Sequence, residues 1–122
     1  MKNLIRLNNY DKEEILEIFK IAEQIEKGQF KDILKGKTIM NHPCEILSDL
    51  YALSKLREDY LSLNYLFVGA CGNIGLAWKE ASEMFGFSLE QSCPKGYEMK
   101  DVSIKYDIAE AILKISNISS LS

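Results

Sequence analysis

The turn "NHPCE" contains the chain's only histidine, His42, together with Cys44 and Glu45. A histidine just ahead of a helix can donate a hydrogen bond to a carbonyl or phosphate oxygen, and the positive end of the helix dipole reinforces such a site. Pro43 suits the first turn of that helix, because the N–H it lacks would have no partner there. The alternative is a histidine that serves only as a cap at the protein surface, and from this turn alone that is the favoured interpretation.

A second turn, "VGACGNIG", places Gly69, Gly72 and Gly75 three residues apart, after an apolar run and before a helical pattern. Glycines at such a turn allow a tight bend and bring backbone N–H groups close to a bound anion. Glu90 follows at the end of the next predicted strand, where a dinucleotide-binding domain places its ribose-binding acid. A tight strand-to-helix connection without a ligand is an equally good interpretation.

A third turn, "SCPKGYEM", contains Pro94 and Gly96, with Lys95 between them as a candidate anion contact. Proline and glycine in this arrangement predict a change of chain direction. A simple connection between strands is the favoured interpretation of this turn taken alone.

The elements that position these turns begin with a helix. Asn8 or Asn9 is expected to cap its start, and Gly28 is expected to end it. Apolar residues recur at helical spacing and predict one core-facing side, made of Ile15, Leu16, Phe19, Ala22 and Ile25.

Strands and helices alternate along the rest of the chain. Strands are predicted at 33–40, 63–70, 87–94 and 101–107, and the continuous apolar run of the second indicates burial on both faces. A helix at about 44–58 precedes that second strand, another ends at Gly86, and Asp107 caps the last. The buried side of the helix at 44–58 is expected to comprise Ile46, Leu47, Leu50, Leu53 and Leu56.

This alternation predicts an α/β fold: a three-layer Rossmann-like domain in which helices flank a small parallel sheet. At 122 residues the chain is expected to form a single domain. Ligands of such sheets bind outside the carboxyl ends of the strands, and the three turns are expected to lie along that one edge.

Composition restricts the partners. A net charge of −3 without a cluster of basic residues argues against a nucleic-acid partner. The apolar runs are too short to cross a membrane, and the start turns polar too early for a signal peptide, so we expect a cytoplasmic protein. Three cysteines with no C-x-x-C spacing indicate neither a disulfide framework nor a metal site, and we expect no cofactor.

Taken in order, the three turns and their flanks resemble the aspartate and ornithine carbamoyltransferase family, with the ornithine branch closer. "NHPCEILSDLYAL" resembles that family's His-Pro-Cys/Thr-Gln turn and helix, "YLFVGACGNIG" its Val-Gly-Asp-Gly-Asn-Asn-like turn, and "CPKGYEM" its Pro-x-Gly-Tyr-Glu-Pro-like segment. Residues 1–40 resemble the family's N-terminal helix and first strand, and residues 41–115 resemble the start of its amino-acid-binding domain.

The resemblance implies site positions. His42 matches a catalytic position, and Asn73 matches an asparagine that contacts the amino acid in the ornithine enzymes. Cys44 and Glu45 fall at substrate-binding positions, although Cys44 matches only as part of the turn and Glu45 replaces the family's glutamine. Ala70 stands where the family has aspartate.

The family's Ser-Thr-Arg-Thr motif, which holds the phosphate of carbamoyl phosphate, has no counterpart in this sequence. "GKTIM" runs directly into "NHPCE", and the chain stops before the family's later amino-acid-binding loops, so we expect an internally deleted and C-terminally truncated relative. We expect it to lack carbamoyl transfer activity and to bind a small amino acid or an anion weakly. Any activity it had would be that of a carbamoyltransferase.

Two alternatives stay open from the sequence. One is a small nucleotide- or dinucleotide-binding module that uses Gly69, Gly72, Gly75 and Glu90. The other is a structural domain that associates with itself, most simply as a homodimer, because unpaired strand edges and uncovered apolar surfaces favour partners.

Overall fold

A computed structural model describes residues 6–29 and 42–120 of the chain. Two short 3-10 turns, Leu7–Asn9 and Tyr60–Ser62, accompany the regular elements. In chain order those elements are α1 (Lys12–Glu26), α2 (His42–Leu56), β1 (Asn64–Val68), α3 (Asn73–Phe85), β2 (Ser88–Ser92), β3 (Ser103–Lys105) and α4 (Ile108–Ser120).

The three strands form one parallel sheet in the order β1-β2-β3. Leu66 of β1 pairs with Glu90 of β2, and Glu90 pairs in turn with Ser103 of β3. The predicted parallel α/β arrangement is therefore confirmed.

Helices cover both faces of this sheet. The Tyr65 ring lies 5.5 Å, centroid to centroid, from the Trp78 ring of α3, whereas the Glu90 carboxylate pairs with Lys114 of α4. Tyr65 pairs with Leu89 in the sheet, and successive strand residues point to opposite faces. Accordingly α3 and α4 lie on opposite sides, which gives the three layers of a Rossmann-like domain.

The main core lies on the α3 side of the sheet. Burial there removes apolar side chains from water, at about 25 cal/mol for each Å². The buried residues come from α1, α2 and α3 and from the segments beside them, and they are Leu7, Ile15, Phe19, Ile46, Leu47, Leu50, Ala77, Ala81, Phe85 and Phe87.

The start of α1 differs from the prediction. Asp11, rather than Asn8 or Asn9, caps the helix: its Oδ1 accepts from the Glu14 N–H at 2.8 Å, and the Asp11 N–H donates to Glu14 Oε2 at 3.0 Å. This reciprocal pair is a capping box, which satisfies two backbone donors at once. Both asparagines precede it, within the first 3-10 turn. The end of the helix is as predicted, with Gly28 following in a left-handed conformation.

The second helix spans 42–56 rather than 44–58, and the predicted apolar side holds for Ile46, Leu47 and Leu50 but not for Leu56. Leu56, the last residue of α2, is 79% exposed. Gly86 ends α3 as predicted. Asp107 caps α4, its Oδ1 accepting from the Ala109 N–H at 2.8 Å.

The expectation that strand 63–70 is buried on both faces is also wrong. The strand itself is 64–68, its residues are half-buried or exposed, and Val68 is 55% exposed. Within the described residues β1 pairs only with β2, so one of its edges has no strand beside it there. The predicted strand at 33–40 lies outside the described residues.

Candidate functional site

The glycine turn connects β1 to α3 by close packing. The Gly69 N–H donates to the Ser92 carbonyl at 3.0 Å, and a side chain at Gly69 would meet the Phe67 ring at 3.2 Å. At Gly75, which is buried, an added Cβ would lie 3.0 Å from that ring and 3.1 Å from the Met99 sulfur. These two glycines therefore allow the helix to approach the strand, which is a structural role.

The structure brings the glycine turn and the Pro94–Gly96 turn together at the carboxyl ends of the strands. The Cys71 N–H donates to the Tyr97 carbonyl at 2.8 Å. The side-chain amide of Gln91 donates to the Gly69 carbonyl at 2.8 Å and to the Tyr97 carbonyl at 3.0 Å, and its oxygen accepts from the Met99 N–H at 2.7 Å. The predicted clustering of these two turns is thus observed. Gln91, which joins them, was not predicted from the sequence.

Asn73 lies on the rim formed by these turns. It is the first residue of α3, is exposed, and follows Gly72, at which no side chain caps the helix. A side-chain amide in this position can donate to a carboxylate and accept from an ammonium group. The position therefore suits contact with an amino acid, and the binding itself stays a prediction.

The histidine turn begins α2. His42 is the first residue of the helix, and Pro43 is buried in its first turn, where it was predicted. Cys44 is half-buried, and this burial raises the pKa of its thiol, so the less reactive thiol form is favoured at neutral pH. Glu45 is exposed. That His42 faces the same rim as Asn73 stays a prediction.

The backbone of the Pro94–Gly96 turn binds a carboxylate of the same segment, that of Glu98. Both carboxylate oxygens of Glu98 accept from the Gly96 N–H, at 3.0 and 2.9 Å, and the Tyr106 hydroxyl donates to one of them at 3.0 Å. The Gly96 hydrogen bond, followed by those from its own backbone and Tyr106, lowers the pKa of Glu98. Lys95, the predicted anion contact, places its Nζ 5.7 Å from the centre of the Tyr106 ring.

Glu90 does not lie at the end of its strand, where it was predicted. It is the third of the five residues of β2, not the last, and its carboxylate pairs with Lys114 on the α4 side of the sheet. The second carboxylate oxygen is buried and accepts no hydrogen bond from the described residues. Glu90 is therefore not at the end of its strand, and a nucleotide-binding role for Gly69, Gly72, Gly75 and Glu90 stays a prediction.

Both arginines of the chain are bound to carboxylates. Arg6 donates through Nε at 2.9 Å, and also through its terminal nitrogen, to Glu80. Arg57 makes a two-pronged contact with Asp59, in which both distances are 2.8 Å. Each guanidinium group is thus paired with a carboxylate of its own chain.

Two kinds of feature are absent from the described part of the chain. Residues 6–29 and 42–120 contain no group of three or more His, Cys, Asp or Glu side chains placed to hold a metal ion. Among the helices in those ranges, none combines the length and the apolar character needed to cross a membrane.

Comparison with known proteins shows similarity to ornithine carbamoyltransferases. The chain is 36% identical to that of Syntrophotalea carbinolica over 77 residues, which are 63% of this chain and 26% of that protein. It is 33% identical to that of Geobacter sulfurreducens over 78 residues, or 64% and 26% of the two chains, and 33% identical to that of Bordetella pertussis over 72 residues, or 59% and 23%. The chain thus spans about a quarter of the length of the curated relatives it matches.

No family model matches the sequence, and no solved structure matches it. The resemblance to ornithine carbamoyltransferases that the three turns predicted is nevertheless confirmed by these relatives, as a partial one.

Proposed function

From this partial similarity to ornithine carbamoyltransferases, we propose that the chain binds a small amino acid at the rim beside Asn73 and does not transfer a carbamoyl group. One observation carries the second half of the proposal. The only two arginines, Arg6 and Arg57, are held by Glu80 and Asp59, and the sequence has no Ser-x-Arg-Thr motif. Carbamoyl transfer needs a phosphate dianion gripped by preorganised donors and cations.

The size of the effect supports loss of activity rather than a modest reduction. Removing a single preorganised donor from an oxyanion site costs about 10² to 10³ in rate, and here a whole phosphate-binding motif has no counterpart. Glu45 adds a negative charge where the resembled family has a glutamine, and a carboxylate cannot donate a hydrogen bond as an amide does.

The course of the helices supports a shared rim for the two family positions. α2 and α3 pack against each other, and each leads into a strand of the same parallel sheet. Both helices therefore end toward the amino edge of that sheet and begin toward its carboxyl edge. His42 and Asn73, as the first residues of these helices, fit a single amino-acid site.

Two measurements test the proposal separately. Incubation with carbamoyl phosphate and ornithine should produce no citrulline above the rate without protein. Titration with ornithine, followed by amide resonances in NMR spectra, should shift the Asn73 signal, and Asn73→Ala should weaken binding at least tenfold. Asn64→Ala is the matched control, because Asn64 is exposed at the opposite end of β1.

Each half of the proposal has its own contrary result. Citrulline production that His42→Ala abolishes would show that carbamoyl transfer persists. NMR spectra that stay unchanged with millimolar ornithine and with millimolar aspartate would contradict the proposed binding. Equal affinities of Asn73→Ala and Asn64→Ala for ornithine would also contradict it.

Self-association is a second proposal, favoured by one surface. Among the described side chains of α4, those of Ile108, Ile112 and Leu113 are apolar and exposed, and they are called here the α4 apolar surface. Exposed apolar surfaces of this kind commonly mark contacts with other proteins. We propose a second copy of the chain as the occupant, as the self-associating alternative above requires.

A further inference from the structure

Gln91 is a fully buried polar side chain in the middle of the site. Its exposed fraction is 0%, and it is the fourth of the five residues of β2. A buried amide is tolerated in a strand when its donors and its acceptor are satisfied. Both N–H groups of this amide have carbonyl partners and its oxygen has an N–H partner. All of its hydrogen-bonding groups are therefore satisfied by the backbone of the two turns.

The partners of Gln91 belong to two separate loops. The Gly69 carbonyl lies in the glycine turn, whereas the Tyr97 carbonyl and the Met99 N–H lie in the segment after β2. The same Tyr97 carbonyl also accepts from the Cys71 N–H. One side chain therefore ties the turn that begins α3 to the segment that faces it.

This connection continues to the rim. Cys71 is two residues before Asn73, and the Met99 side chain is buried against Gly75, in the first turn of α3. A displacement of the 93–99 segment would consequently move the backbone that carries Asn73. Groups held by packed and hydrogen-bonded neighbours bind ligands with less loss of entropy than mobile groups.

We propose that Gln91 is a positioning residue that fixes the glycine turn against the 93–99 segment and so sets Asn73 for contact with a small amino acid. This inference rests on the proposed function for its ligand. Its structural half is independent, because the turn is held whether or not a ligand binds.

The substitution Gln91→Glu tests the role by replacing one heavy atom, the amide nitrogen, with an oxygen. The introduced carboxyl keeps an oxygen for the Met99 N–H but turns its other oxygen toward two carbonyls. Burial and those carbonyls should raise the pKa of the introduced carboxyl, because protonation supplies one of the two lost donors. We expect ornithine affinity to fall at least tenfold at about pH 8 and to recover in part at about pH 5, whereas the wild type keeps its affinity.

Amide hydrogen exchange gives a readout that needs no ligand. In Gln91→Glu at about pH 8, the Cys71 amide should exchange at least tenfold faster, relative to amides of the β1–β2 ladder, whereas the Met99 amide keeps its acceptor. Gln91→Met, which removes all three hydrogen bonds at similar length, should show the same acceleration without recovery at low pH, and it replaces the first variant if that does not fold. Gln24→Glu, at an exposed position of α1, is the control.

The outcomes separate the two proposals. If wild-type protein binds neither ornithine nor aspartate, the proposed function fails, and the exchange rates still decide whether Gln91 holds the turns. Unchanged exchange at Cys71 and Met99 in a folded Gln91→Met would overturn the inference. Reduced stability with undiminished ornithine affinity of the folded protein would also overturn it, since that result indicates a packing role alone.

Discussion

Glu80 is a buried carboxylate of α3 that holds the start of the described chain. It is 8% exposed, accepts from Arg6, and accepts from the Leu7 N–H at 3.2 Å. Glu80→Ala would leave the Leu7 N–H without this acceptor beside the core. We expect the free energy of unfolding to fall by about 1–3 kcal/mol, measured by urea denaturation with the fluorescence of Trp78, the only tryptophan.

A matched control lies on the same helix. Glu83 is exposed and pairs with Lys79 at 3.7 Å, four residues away. Surface pairs of this kind contribute little to stability, so Glu83→Ala should leave the urea midpoint almost unchanged. Equal effects of the two substitutions would mean that Glu80 contributes only as a surface charge.

We expect the stability of the Pro94–Gly96 turn to depend on pH through Glu98. Its carboxylate accepts from Gly96 and Tyr106, and these bonds lower its pKa in the folded protein. A group whose pKa is lowered by folding contributes stability above its unfolded pKa and loses that contribution as pH falls through the folded pKa. The stability difference between wild type and Glu98→Gln should therefore shrink from about pH 6 to about pH 3, in urea midpoints. A constant difference would show that ionised Glu98 is not favoured by folding.

Single residues of the site were unequally predictable from the sequence. Asn73 and His42 could be chosen because an ordered set of turns resembled a family. Gln91 could not, because a polar residue in "FSLEQSCP" is ordinary on a half-exposed strand. Its role depends on Gly69 and Tyr97, which only the fold brings within hydrogen-bond distance.

Among the elements, α1 offers a direct test of its start. Asp11 caps the helix through the Glu14 N–H, and no side-chain contact of that kind caps it from Asn8 in the described structure. Asp11→Ala should lower the free energy of unfolding by about 1 kcal/mol, whereas Asn8→Ala should change it little. Thermal or urea denaturation of both variants checks this. A larger loss in Asn8→Ala would restore the cap that the sequence first indicated.

The helices and strands were mostly predictable because nearby residues mark where each one begins or ends. Gly86 and Asp107 mark the end of α3 and the start of α4, and the apolar run around Phe67 marks β1. The start of α1 was mistaken because Asn8, Asn9 and Asp11 are all good caps, and the choice depends on a reciprocal bond with a later glutamate. Periodicity also continues past the point where packing stops, as at Leu56.

At the scale of the whole molecule, the parallel topology of the sheet made it possible to predict where the site lies. Parallel strands end at one edge, so the turns after β1 and β2 had to be neighbours. What occupies each face did not follow from the same rule. The apolar run of β1 suggested burial on both sides, but burial depends on how many strands and helices surround a strand, and that number is a property of the assembled sheet.

The α4 apolar surface provides the test of assembly. Leu113 is 62% exposed and lies beside Ile112 on a helix that contacts β1, where Val68 is also exposed. Burying such side chains against a second copy would remove apolar area from water, so we expect a dimer at tens of micromolar in light scattering after size exclusion.

Leu113→Lys should shift the mass toward the monomer, because a dry interface disfavours an unpaired ammonium group. Leu56→Lys alters a leucine that is more exposed but lies on α2, and it should leave the mass unchanged. A monomeric wild type at that concentration, or equal masses for Leu113→Lys and the wild-type dimer, would remove this surface as the interface.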